Sequence, residues 1–161
     1  MIKTSMKKTL WIVVASKARA RIFSAGTRKS MPLTEVYVLV DPGSRLHERA
    51  VMADRPGRAH ARSGQGRHAM EQYSVKHDGA KRFAARVCAY LESARRQNRF
   101  QSLMLVASPE FAGLLHGRMS PQLRLCIDGE IHKNISTLPE QAIREFLPSR
   151  PARSEQKLFL S

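Results

Sequence analysis

Six arginines punctuate residues 45–67: Arg45, Arg49, Arg55, Arg58, Arg62 and Arg67, with no lysine among them. A guanidinium is a planar fork that grips phosphate through two parallel hydrogen bonds and stacks on bases. A surface built for solubility mixes Lys with Glu instead. The pattern therefore points to a polyanion, a nucleic acid first and an anionic membrane surface after it. Other chemistries fit less well. His47, His60, His68 and His77 match no common metal-ligand spacing and no cysteine lies near them, so no metal is expected. Asp41, Glu48, Asp54 and Glu71 are few and scattered among the arginines, which argues against a two-metal nuclease. No nucleophile elbow, phosphate loop or dinucleotide fingerprint occurs, so no cofactor is expected.

The whole-chain charge supports the same reading. The 161 residues carry 28 Lys and Arg against 13 Asp and Glu, a formal net charge of +15. Residues 1–100 hold 21 of the cations and 7 of the acids, an excess of 14, and residues 101–161 are nearly balanced at 7 against 6. The length suits one domain with its own core. The apolar run Leu10–Ala15 is six residues long and Lys17 follows at once. A secretory core needs roughly 7–15 apolar residues and a membrane span about 20, so a cytoplasmic protein without a membrane span is expected. Cys88 and Cys126 lie in apolar contexts far apart, which suggests two buried thiols in a reducing compartment.

The elements that must position the arginines follow from periodicity. Leu10–Ala15 is a buried strand. Residues 18–24 alternate small or apolar with basic, as a strand with one face in solvent does, and 33–40 make a third strand of an antiparallel meander. From 41 to 73 no apolar period appears, so a long basic Gly/Arg loop is expected there. Met52 and Met70 are expected to pack within it. Phe83, Ala84, Val87, Cys88, Leu91 and Ala94 then mark the core stripe of a helix over 74–98. Residues 102–107 form a buried strand. Ser108 and Ser120, each followed by Pro, cap helices at 109–118 and after 120. A weak edge strand over 126–136 and a capped amphipathic helix over 137–147 complete the order. The fold class is α/β: a mixed β-sheet with helices packed on its faces, over a single domain at 9–147. Residues 1–8 are a basic N-terminal extension and 148–161 a loose tail.

Several separated motifs then carry a resemblance. Trp11-Ile-Val-Val-Ala-Ser-Lys-Ala-Arg-Ala-Arg-Ile-Phe23, Ala53-Asp-Arg-Pro-Gly-Arg58, Gly66-Arg-His-Ala-Met70, Ala107-Ser-Pro-Glu-Phe-Ala-Gly-Leu-Leu115 and Met119-Ser-Pro-Gln-Leu-Arg124 occur in the order found in the bacterial host attachment protein family. The chain resembles that family over about residues 9–147. Its element order also resembles the middle domain of eukaryotic and archaeal class-one release factors and Pelota, which implies a ribonuclease-H-like topology. There a Gly-Gly-Gln loop leads into a basic helix. Here Gly64 and Gln65 match the second Gly and the Gln, and Ser63 stands where the first Gly would be. The resemblance implies peptidyl-tRNA ester hydrolysis, with Gln65 placing a water and donating to the developing oxyanion, since its amide has no useful pKa. The candidate RNA-binding residues are Arg45, Arg49, Arg55, Arg58, Arg62, Gly64, Gly66, Arg67 and His68, with Lys81 and Arg82 of the following helix. The expected partner is ribosomal RNA or tRNA. Three functions stay open at this point: an RNA-binding module, a ribosome-dependent hydrolase, and a non-catalytic accessory in attachment.

Overall fold

The computed structural model describes residues 8–25, 33–43 and 65–148, and for 65–69 and 71–73 the backbone alone. Two continuous apolar runs form its centre. β1 (Leu10–Ala15) and β4 (Ser102–Ala107) pair in parallel, Leu10 opposite Ser102 through Ala15 opposite Ala107. Neither run alternates, because both faces of each strand are covered. β2 (Arg19–Ala25) pairs antiparallel with β1, and β3 (Thr34–Val40) antiparallel with β2. β5 (Ile127–Ile131) adds in parallel to β4 at the far edge. The order β3-β2-β1-β4-β5 leaves β2 alone antiparallel to the other four. This is the mixed sheet expected, with the strand order of the ribonuclease-H-like arrangement.

Helices cover both faces. α1 (Gln65–Arg96), α2 (Pro109–His116) and α3 (Pro121–Leu125) lie over one face, where Phe83, Val87, Leu91, Phe111, Leu115 and Leu123 pack on Trp11, Val13, Leu103 and Leu105. α4 (Glu140–Phe146) and the segment before it close the other, with Ile135 and Ile143 on Ile12, Val14, Phe23, Met104 and Val106. The predicted α1 stripe is buried at every position.

Six expectations are corrected. α1 begins at Gln65, nine residues before the expected start, so residues 65–73 are helix and not loop. Met70 is 75% exposed on that helix and not packed in a loop. β2 does not keep one face in solvent, because the segment before α4 covers Phe23 and Arg21 donates to the Leu138 carbonyl at 2.7 Å. β5 spans Ile127–Ile131 only, and α4 starts at Glu140 behind Pro139, which offers no capping side chain. Cys126 is half-exposed, and only Cys88 is buried. The Ser108 and Ser120 caps form as expected: each hydroxyl accepts from a backbone N–H three residues on, Phe111 at 3.4 Å and Leu123 at 3.1 Å. Residues 1–7, most of the Gly/Arg stretch (44–64, with Met52) and the tail 149–161 lie outside the described residues.

Candidate functional site

The parallel strands end on one side of the sheet, and a cleft opens there. The direction in which strands are added reverses between the parallel β1 and β4, since β1 continues outward to β2 and β3 while β4 continues the other way to β5. In open α/β sheets, side chains following such strands converge on the space between them. Here Ser16 follows β1, Asp41 follows β3 and Ser108 follows β4, and all three line a cleft of about 950 Å³. The first turns of α1 that meet the core form a second wall with Lys76, Gly79, Arg82 and Arg86. Asn134, Ser136 and Thr137, beyond β5, form a third.

Local chemistry fixes each wall. The β1–β2 turn is closed by the Ser16 N–H donating to the Arg19 carbonyl at 2.7 Å. The Ser16 hydroxyl accepts from the N–H groups of Ala18 and Arg19, both at 3.3 Å. This small serine turn presents Lys17 and Arg19 at the rim. The Asp41 N–H donates to the Ala18 carbonyl at 2.9 Å and ties the end of β3 to the same turn. Lys17 pairs with Glu110 in the first turn of α2 at 2.9 Å, both half-exposed, a geometry that contributes at most about 1 kcal/mol. Arg86 donates to the Val40 carbonyl at 3.4 Å and leans over the Phe83 ring. Five cations (Lys17, Arg19, Lys76, Arg82, Arg86) thus face two carboxylates (Asp41, Glu110) around the cleft.

The predicted site residues divide into three groups. Arg45, Arg49, Arg55, Arg58, Arg62 and Gly64 lie outside the described residues. The backbone of Gln65, Gly66, Arg67 and His68 forms the first turn of α1. Lys81 and Arg82 are exposed on α1, and Arg82 lines the cleft while Lys81 does not. Sequence reasoning missed Arg19, Arg86, Asn134 and Thr137 as site residues. A usable signal existed for the first wall, because polar residues directly after continuous apolar strands mark the open end of a parallel sheet. No such signal marks Asn134 or Thr137, which reach the cleft through an irregular segment.

The groups with strongly altered acidity stand away from the cleft. The Arg95 guanidinium donates two hydrogen bonds to Glu92, at 2.6 and 3.0 Å, and the Ser120 hydroxyl a third at 2.9 Å. Together they hold the Glu92 carboxyl down at about 2. Burial pushes the Cys88 thiol up to about 12. Among the described residues no helix is long and apolar enough to cross a membrane.

The family described as "Protein required for attachment to host cells" matches residues 11–147. The chain belongs to this family. The match runs from Trp11 in β1 to Leu147 after α4, so it takes in the sheet, the covering helices and every wall of the cleft. No curated protein matches the family member described here. Two solved structures are similar to it at a TM-score of 0.43 each: one named "Archaeal protein", 9% identical, and the archaeal translation termination factor aRF1, 10% identical. Each likeness covers 93% of this chain, which spans only 38% of the length of either structure.

Proposed function

We infer that this family member binds RNA, with ribosomal RNA or tRNA as the partner, through α1 and the arginine-rich stretch before it. One observation carries the reading. Between Met70 and Ala80, the first buried residue among those described on α1, the helix rises about 15 Å. Over that length its described side chains are exposed or half-exposed. A helix gains most of its stability in a protein by packing an apolar face. One whose described side chains stay exposed or half-exposed over these turns and which carries Lys76, then Lys81 and Arg82, suits a surface that meets a partner. None of these three cations has an ion-pair partner among the described residues. The six arginines of residues 45–67 adjoin this helix in sequence. Arg45, Arg49, Arg55, Arg58, Arg62 and Arg67 contact phosphates in this reading, with Gly64 and Gly66 between them and His68 directly after.

Co-sedimentation of the full chain with ribosomes over a salt series tests the reading. Each phosphate contact contributes about −0.9 to the slope of log K against log salt. Replacing Lys76, Lys81 and Arg82 together with Gln is expected to flatten the slope by about 2–3. No association at low salt overturns the reading.

A hydrolase reading has one specific support, the place of Gln65 as the first residue of the exposed helix. There the positive end of the helix dipole would favour a developing oxyanion. Ester cleavage on stalled ribosomes that is unchanged in Gln65→Ala removes Gln65 from any mechanism. An accessory role in attachment without RNA predicts the same attachment phenotype from a chain whose α1 cations have been neutralised.

A further inference from the structure

We propose that the cleft at the ends of β1 and β4 binds a phosphorylated nucleotide, either free or as the 5′-terminal residue of an RNA. The geometry points to a two-part ligand because the walls differ in kind. The α1 wall and the serine turn are cationic. Arg82 has no hydrogen-bond or ion-pair partner among the described residues. Arg86 donates one hydrogen bond, to the Val40 carbonyl, of the five that a guanidinium can make. These two sit four residues apart, one turn of α1, so both forks reach one anion.

The opposite wall is neutral and fully equipped with donors and acceptors. The Ser136 hydroxyl is buried, 1% exposed, and donates to Asn134 Oδ1 at 3.4 Å. That bond fixes which end of the Asn134 amide is committed and leaves its NH2 to donate into the cleft. Thr137 adds an exposed hydroxyl with no partner among the described residues. An anionic head against Arg82 and Arg86, and a part rich in hydroxyls against Asn134 and Thr137, describe a sugar phosphate with its base. The volume, about 950 Å³, lies in the range of small-molecule sites, roughly 300–1,000 Å³. The site shares Lys76 and Arg82 with the RNA surface but differs in what it selects: it discriminates a terminal phosphomonoester, whereas the exposed cations of α1 meet any phosphodiester.

Calorimetric titration of the full chain with adenosine 5′-monophosphate, adenosine, inorganic phosphate, and penta-adenylate with and without a 5′-phosphate tests this. The 5′-phosphate is expected to tighten binding at least about tenfold over the 5′-hydroxyl form. Tight binding by the mononucleotide identifies a free nucleotide, and binding by the phosphorylated pentamer alone identifies an RNA end. The variant carrying Arg82→Gln and Arg86→Gln loses the discrimination. Arg96→Gln, which removes one charge at the other end of α1, keeps it. Thr137→Val weakens the nucleotide while leaving inorganic phosphate unchanged, a split that general charge attraction cannot produce. All three variants change exposed side chains, and unaltered melting temperatures check their folding. Equal binding of the phosphorylated and hydroxyl forms, or equal loss in Arg96→Gln, overturns the proposal. Ribosome association that survives such a result leaves the RNA reading standing, and its absence beside intact nucleotide binding removes the RNA reading alone.

Discussion

Glu92 joins two elements, α1 and α3, through one carboxylate. Arg95 on α1 donates to both its oxygens, and Ser120, the residue that caps α3, donates to one of them. Because its acidity is set near 2 against an ordinary 4.5, the ionised form is the one folding favours. The stabilisation is complete above about pH 4.5 and is lost as the pH falls from there towards 2. Glu92→Gln is expected to lower stability by about 1 kcal/mol at pH 7. It also removes part of the acid sensitivity between pH 4.5 and 2, read by thermal melts across that range. Cys88 is the opposite case. Its thiol donates to the Leu115 carbonyl at 3.4 Å inside the core, and at about 12 it stays protonated at any working pH. A thiol reagent is therefore expected to modify Cys126 in the native protein and Cys88 only on unfolding, counted by mass spectrometry. The sequence placed both cysteines in apolar runs and could not separate them. Cys126 sits at the C-terminal end of α3 rather than within an apolar stripe, and burial there depends on what α3 packs against.

At the scale of elements, legibility followed packing. β1, β4 and the core half of α1 were readable because buried side chains leave a period or an unbroken run. The first half of α1 was not. Its residues Gln65, Arg67, Ala69, Met70, Glu71 and Gln72 are good helix formers, but the segment carries no 3.6-residue apolar period. Gly66 added a false loop signal. Gly79 is helical, and a Cβ built there meets nothing within 4 Å. Gly79→Ala is expected to raise stability by about 0.5–1 kcal/mol, measured by urea unfolding, since Ala loses less backbone freedom than Gly in a helix. Ser120→Ala removes both the cap of α3 and a hydrogen bond to Glu92, and is expected to cost about 1–2 kcal/mol in the same assay. The start of α4 was misplaced for a related reason. Thr137 looked like a cap, yet it lines the cleft, and the chain makes a turn before Pro139.

At the scale of the whole molecule, the uneven charge maps onto architecture. The excess of 14 belongs to residues 1–100, which supply β1–β3, α1 and two cleft walls. The balanced remainder supplies β4, β5 and the helices behind them. The fold class could be read because the meander, the crossovers and the two apolar strands each constrain neighbours. The cleft could not, because its walls come from five places along the chain and meet only once the sheet has formed.

The outer side of β3 pairs with no described strand. Its first half is defended: the register against β2 shifts beside Val36, and Glu35 pairs with Arg21 at 2.8 Å. A bulge and a charge both discourage a foreign strand from adding. Its second half has neither, and Tyr37 and Val38 stand 45% and 42% exposed. Two copies brought together by heat would meet first along these residues. Thermal precipitation should therefore quicken with protein concentration and slow in Val38→Lys, followed by light scattering. For a protein whose net charge of +15 otherwise keeps copies apart, this short stretch of backbone is where that separation is expected to fail first.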